Sequence, residues 1–474
     1  MVGGCYYLHV HPDLGLVQAR KGDKELTLLG YIIDPEHPKY SDEEVLDELI
    51  SKISDRLSLF KATMPFGGRW ILFYSDGVDV IAFNDACGLR SLYFTRSEIK
   101  QFTCGSQPGL INRQLNFHYS ESARRDFLDT PVYREKMEYW MPSGRSLYDE
   151  IEQLIPNHYL DLNNGVQRRF WPWERLEKVS YRDGVTKAGD LLEKLIIAAA
   201  ERFRLAVTVT AGYDTRSIFA ATRKVSPDVY YYTMLYYNLT HQSPDVDIPH
   251  KILASCGIKH HILDCSGQMS NDFREIYMNN VDLAHEAWGH IASGLIHTFP
   301  HDHISVKGVC SEIARFTSSR FGYLDTMDGK TLASLFALDD SPFIVEGFDQ
   351  WAQNSMMWIN KYKYRFLDVL YWEHRLGNWQ AQSQLEWDIV HETFSPYNCR
   401  ELLVLLLGVD GRYRKKPGNR LMIALMKYLW PAASQEPFNP RPMKVRFRKK
   451  FRLYWRSEKV KKIREIVKNL FDLP

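Results

Sequence analysis

At 474 residues the chain is too long for one ordinary core, so two domains are expected. A composition of 45% hydrophobic and 25% charged residues is that of a globular protein, and a formal net charge of +2 excludes a general electrostatic pull toward nucleic acid or membrane surfaces. The seven cysteines are scattered and never form C-x-x-C, which argues against a disulfide framework and a zinc knuckle and for a reducing, cytoplasmic setting.

The N-terminus has no basic segment followed by a long apolar run, so no signal peptide is expected. Residues 1–110 read as β-rich. A helix is predicted over 41–60, where Ser41 is a cap, acids fill the first turn and apolar residues recur at helical spacing. The run RWILFYSDGVDVIAFNDACGLRSLYFT, 69–95, predicts a strand, a turn at Asp76-Gly77, a second strand, a Gly-centred turn and a third strand. Residues 140–173 read as a connector of turns and short strands that ends at a Pro-Trp pair.

After Tyr181 the pattern changes. A helix (183–203), a buried strand (205–210), a helix (214–225), a strand (228–237), a helix closed by Gly257 (245–257) and strands at 260–264 and 303–309 follow in turn. Strands alternating with helices of this length imply βαβ units and a parallel sheet. From about 325 the chain is mainly helical, and LLVLLLGV at 402–409 is far too short to span a bilayer. The expected fold is an α+β domain over 1–177 followed by an α/β parallel-sheet domain over 178–474 with a helical C-terminal part. No nucleic acid and no membrane span is expected, and a homodimer is kept open.

The corner LAVTVTAGYDTRS concentrates polar groups where the first strand of the second domain meets a helix. Open parallel sheets bind ligands beyond the carboxyl ends of their strands. Gly212 permits close backbone approach, the helix start offers unpaired N–H groups to an anion, and Thr210 and Thr215 add hydroxyls. Asp214 would repel phosphate unless a divalent cation lies between them, so it makes most sense as a magnesium ligand. The alternative is an ordinary strand-to-helix turn. Neither a Walker loop nor a G-x-G-x-x-G pattern is present.

TAGYDT resembles the S-G-G-x-D-S pyrophosphate loop of the asparagine-synthetase-like ATP pyrophosphatases. The family's other segments follow in its order: SPDVDIPHKILASCGIKHH at 243–261, VKGVCSEIARF at 306–316 (resembling G-E-G-S-D-E) and HETFSPYNCREL at 391–402 (resembling E-x-R-x-P-F-L-D). NDACGLRSLYF at 84–94 resembles a segment of the class II glutamine amidotransferase domain, and LIPNHYLDLNNG at 154–165 its connector to the synthetase domain.

The resemblance implies an ATP-dependent, amide-forming ligase. Thr210, Ala211, Gly212, Asp214 and Thr215 would form the pyrophosphate loop, and Asp214 and Glu312 would hold Mg2+. Glu392 would belong to a dyad that deprotonates the attacking amine, and Lys444 would offset charge on pyrophosphate and acyl oxygen. The substrates would be a small-molecule or peptide carboxylate and an amine or ammonia. Two departures matter. Val2 stands where family amidotransferase domains carry their nucleophilic cysteine, and the internal Cys5 has no terminal amine to serve it, so glutaminase activity is not expected. Val309 takes the place of the dyad's second member and cannot accept a proton. Two alternatives stay open: a catalytically silent relative that binds nucleotide or a partner protein, and an ammonia-dependent asparagine synthetase. His285 and His290 in HEAWGH are five apart, which puts them on different helix faces and argues against zinc.

Overall fold

In the computed structural model, residues 1–130, 133, 140–315, 327–336, 338, 340–415 and 418–440 are described. The N-terminal half is built on a six-stranded antiparallel sheet in the order β1-β2-β3-β4-β8-β9. Its strands are Leu16–Lys21, Lys24–Ile33, Gly67–Ser75, Val80–Asn84, His158–Asp161 and Val166–Arg169. Alternation along them divides the apolar side chains between two faces. Leu28, Trp70, Leu72, Ile81 and Phe83 meet the helices Asp42–Lys52 and Arg56–Ala62, while Ile71, Phe73 and Ala82 meet Leu92, Phe94 and Leu154. The last three border a small sheet of β6-β5-β7, namely Cys104–Gly105, Tyr93–Thr95 and Ile151–Gln153.

The Asp76-Gly77 turn forms as its residues dictate: Asp76 Oδ1 accepts from the amides of Val78 and Asp79, and Gly77 takes φ +89°. The single helix expected over 41–60 is two helices. The Ser41 capping box starts the first, but Ile53 turns extended into the core and Asp55 caps a second. The short polar side chains of Ser54 and Asp55 offer local bonds that compete with helix continuation.

The second sheet is parallel throughout, in the order β12-β11-β10-β13-β14, with strands His261–Asp264, Tyr230–Leu235, Arg204–Thr208, His303–Val306 and Thr393–Phe394. Helices cover both faces. Leu205, Val207 and Val209 pack with Leu195 and Ile196 of Tyr181–Arg202 and with Ile218 and Phe219 of Tyr213–Ala221, whereas Ala206 and Tyr232 pack with Ile291 and Leu295 of Glu286–Thr298. The chain leaves β10 toward β11 on one side and returns to β13 on the other, so the sheet's topological switch lies between β10 and β13.

The predicted strand 205–210 is shorter than expected. Val209 still donates to the Tyr232 carbonyl at 2.9 Å, but the Thr210 amide leaves the ladder for the Thr215 hydroxyl. Helices Pro342–Tyr362, Arg400–Gly408 and Arg420–Leu429 make the described residues of 327–440 mainly helical, residues 441–474 lie outside those described, and the apolar block at 402–409 is buried helix over most of its length. One apolar core joins Tyr31, Ile33 and Leu89 to Leu195, Val207 and Phe394, crossing the boundary expected near 178. Among the described residues no helix is long and apolar enough to cross a membrane.

Candidate functional site

The corner after β10 is tied by its own hydroxyls. Thr210 Oγ1 lies 2.9 Å from Thr215 Oγ1 and accepts from the Gly212 amide at 3.2 Å, and the Thr210 amide donates to Thr215 Oγ1 at 3.0 Å. The Ala211 amide donates to Asp245 Oδ1 at 3.2 Å, so the following helical segment (Pro244–Ser255) braces the turn. Gly212 caps the helix Tyr213–Ala221 with no side-chain bond, which leaves that helix start open to an external acceptor.

The loop after β13 closes on the same corner. Gly308 passes so near that a Cβ there would stand 2.6 Å from the Asp214 carbonyl carbon. Cys310 holds φ +71°, a left-handed backbone that favours glycine, and Ser311 then donates its hydroxyl to Asp214 Oδ1. Glu312 follows on the 3-10 turn Ser311–Arg315. Burial, and next the nearby Asp214 carboxylate, push the Glu312 carboxyl up to about 7. The two acids expected to act together are therefore together, 98 positions apart in the chain (312 minus 214).

Sequence reasoning missed what lies between them. An Arg315 Nη2 stands 3.0 Å from Asp214 Oδ2 and 3.8 Å from Glu312 Oε1. Arg375 also acts electrostatically on Glu312, and among the described residues Glu312 Oε2 is buried without a hydrogen-bond partner. An orphaned carboxylate oxygen beside a second acid is a donor set that fits a hard divalent cation. Among the described residues there is no cluster of three or more His, Cys, Asp or Glu that could hold a metal ion, so the pair would offer only two protein carboxylates.

Glu392 sits one residue before β14, in a partly buried quartet that joins the two halves of the chain. Arg69 of β3 bonds Asp388 through both terminal nitrogens and reaches Glu392 Oε1 at 2.9 Å, and Arg90 reaches Glu392 Oε2 at 2.6 Å. Burial opposes ionisation of Glu392, yet the Arg90 and Arg69 guanidinium groups hold its carboxyl down at about 2. Through Arg69 and Arg90 the Glu392 carboxylate ties the segment before β14 to the N-terminal sheet. Val309 is half-buried and its carbonyl accepts from the Ser395 hydroxyl. Lys444 lies outside the described residues.

At the N-terminus Val2 is buried against Ile71 and Phe73, and Cys5 is exposed. His285 caps its helix and pairs with Glu386 at 2.7 Å, while His290 accepts from the Met269 amide, so the two histidines face different partners.

No protein-family model matches the chain, and no curated protein matches it. Among solved structures it is similar to glutamine phosphoribosylpyrophosphate amidotransferase from B. subtilis complexed with ADP and GMP, at 11% identity over 65% of this chain and 60% of that one, with a TM-score of 0.21. It is also similar to an allosteric regulatory enzyme of purine biosynthesis, at 12% identity over 57% of this chain and 60% of that one, with a TM-score of 0.22. The chain thus spans about three fifths of the length of each.

Proposed function

We propose that the chain is an ATP-dependent carbon–nitrogen ligase of the asparagine-synthetase-like type, with an amidotransferase-like N-terminal half that does not hydrolyse glutamine. The observation that carries this reading is the meeting of the 210–215 corner with the Glu312 loop at the switch point of a parallel sheet. The hydroxyls of Thr210 and Thr215 and the open amides of the corner helix take the pyrophosphate end of ATP, where backbone donors and the helix dipole favour negative charge. Asp214 and Glu312 would hold Mg2+, which when bound neutralises phosphate charge. A carboxylate attacks the α-phosphorus, pyrophosphate leaves, and an amine or ammonia then displaces AMP to form the amide. Products of this kind suit a specialised metabolite, a modified peptide or a surface polysaccharide.

One observation favours a second reading. Arg315 already spans both acids, as expected of a silent relative that binds nucleotide or a partner with no turnover. Pyrophosphate release from ATP and magnesium, measured against a panel of carboxylates with Asp214→Ala as control, separates the two. Carboxylate-dependent release that the control lacks is the expected result. ATP binding with no release from any carboxylate favours the silent relative, and no ATP binding sinks the ligase reading. Release with aspartate plus ammonium selects asparagine synthesis.

A further inference from the structure

Lys307 is the first residue beyond β13. Its amide donates to the Phe394 carbonyl at 2.9 Å, and the pairing of Val207 with Val306 sets it beside Thr208, two residues before the corner begins. Alternation along β13 places Lys307 with Ser305, whose hydroxyl lies 2.9 Å from the Tyr232 hydroxyl, on the sheet face away from the corner helix. The next residue, Gly308, is the one pressed against the Asp214 backbone. Lys307 therefore stands at the switch point, on the opposite side of the strand ends from the helix start that offers its amides.

Among the described residues its ammonium has no matching anion. The nearby acids, Asp388 and Glu392, are taken by Arg69 and Arg90, two guanidinium groups against two carboxylates. His391, on the same segment, is kept uncharged by burial and then by Lys307 itself. Lys307 Nζ lies 4.1 Å from the centre of the Trp387 ring and forms no ion pair among the described residues. An indole face attracts an ammonium more weakly than water does, so Trp387 does not replace the hydration that this charge gives up. Consistent with that deficit, burial and the Arg69 charge bring the ammonium down to about 7.

We propose that Lys307 is a phosphate-binding residue of the nucleotide site, its ammonium facing a phosphate of the ATP whose pyrophosphate end the 210–215 corner holds. This rests on the ligase reading above. An arriving phosphate supplies the counter-charge that the Arg69–Asp388–Glu392–Arg90 quartet does not, and the lysine then offsets charge as pyrophosphate departs.

Lysine footprinting on the intact chain tests it. The protein is acetylated with an N-hydroxysuccinimide ester at pH 7.5 alone, with ATP, and with adenosine, and modification of Lys307 is read by peptide mass spectrometry. Lys307 is expected to be acetylated in the free protein, to slow at least about fivefold with ATP, and to be indifferent to adenosine, which lacks the phosphates. In parallel, calorimetry should show Lys307→Met weakening ATP roughly tenfold and Lys307→Arg restoring it to within about threefold, as loss and retention of one charge-assisted contact imply. ATP that binds wild type normally, yet neither protects Lys307 nor distinguishes Lys307→Met, overturns the proposal and leaves the ligase reading standing. Wild type that binds no ATP overturns both. Should Lys307→Met fail to fold, the wild-type footprint decides alone.

Discussion

Replacing Arg69 with methionine should destabilise the protein by about 3–4 kcal/mol, a figure that follows from which partners are left behind. Arg69 is 1% exposed, and its donors go to the Leu89 carbonyl, to both oxygens of Asp388 and to Glu392. Glu392 keeps Arg90 at 2.6 Å after the change, but Asp388 keeps it only at 3.7 Å. The loss is therefore mainly one carboxylate stripped of its partner. Breaking a buried pair costs about 3–5 kcal/mol, reduced here to about 2–3 because the Asp388 side chain is 26% exposed, and the orphaned Leu89 carbonyl adds about 1. Thermal unfolding should fall by roughly 3–6 °C in a chain of this size. The double variant Arg69→Met with Asp388→Leu removes both charges and should recover about 2 kcal/mol of the loss. A single variant within about 1 kcal/mol of wild type, or a double variant whose loss is the sum of the two singles, would refute the reasoning.

Acidification supplies a second check. Burial lowers the folded-state pKa of His374 to about 4 and that of His391 well below its usual value. Between pH 6.5 and those values the unfolded chain binds more protons, so this stability is complete above about pH 6.5 and is lost as pH falls. From pH 7.5 to 5.5 each of these two histidines should cost about 1.4 kcal/mol in urea unfolding, so His391→Phe should lose about 1.4 kcal/mol less than wild type over that range; a variant that loses as much as wild type would contradict the assignment. Gly308→Ala drives a Cβ to within 2.6 Å of the Asp214 carbonyl carbon, so a stability loss of about 1–3 kcal/mol should accompany at least a tenfold loss of ATP affinity by calorimetry. Arg315→Met frees both acids and should tighten Mn2+ binding at least tenfold in an electron paramagnetic resonance titration. Absence of Mn2+ binding in both wild type and variant would remove the cation site from the reading.

Local signals in the sequence carried much of the architecture. The Asp76-Gly77 hairpin, the shift to βαβ alternation after 181, the Gly257 helix stop and the corner at 210–215 each depend on residues within about one turn or one strand of each other. Turn chemistry and side-chain period act at that range. Even there a local competition was misjudged, since Ser54 and Asp55 split a helix whose apolar spacing runs on past them.

The proximity of Asp214 and Glu312 was implied by resemblance, and parallel pairing of β10 with β13 brings it about. What lies around them was settled only by tertiary structure. Arg69 meets Asp388 across 319 positions and Glu392 across 323, and no local pattern announces such partners. A lone arginine inside the apolar run of β3 was the one available signal that a buried acid would come from elsewhere. Arg315 between the two acids, and Lys307 without a counter-ion among the described residues, are of the same kind. Whether a charge is paired, shared or left over depends on groups that the folded chain gathers from distant segments, and so the sequence determined the frame of the site while the fold determined its charge.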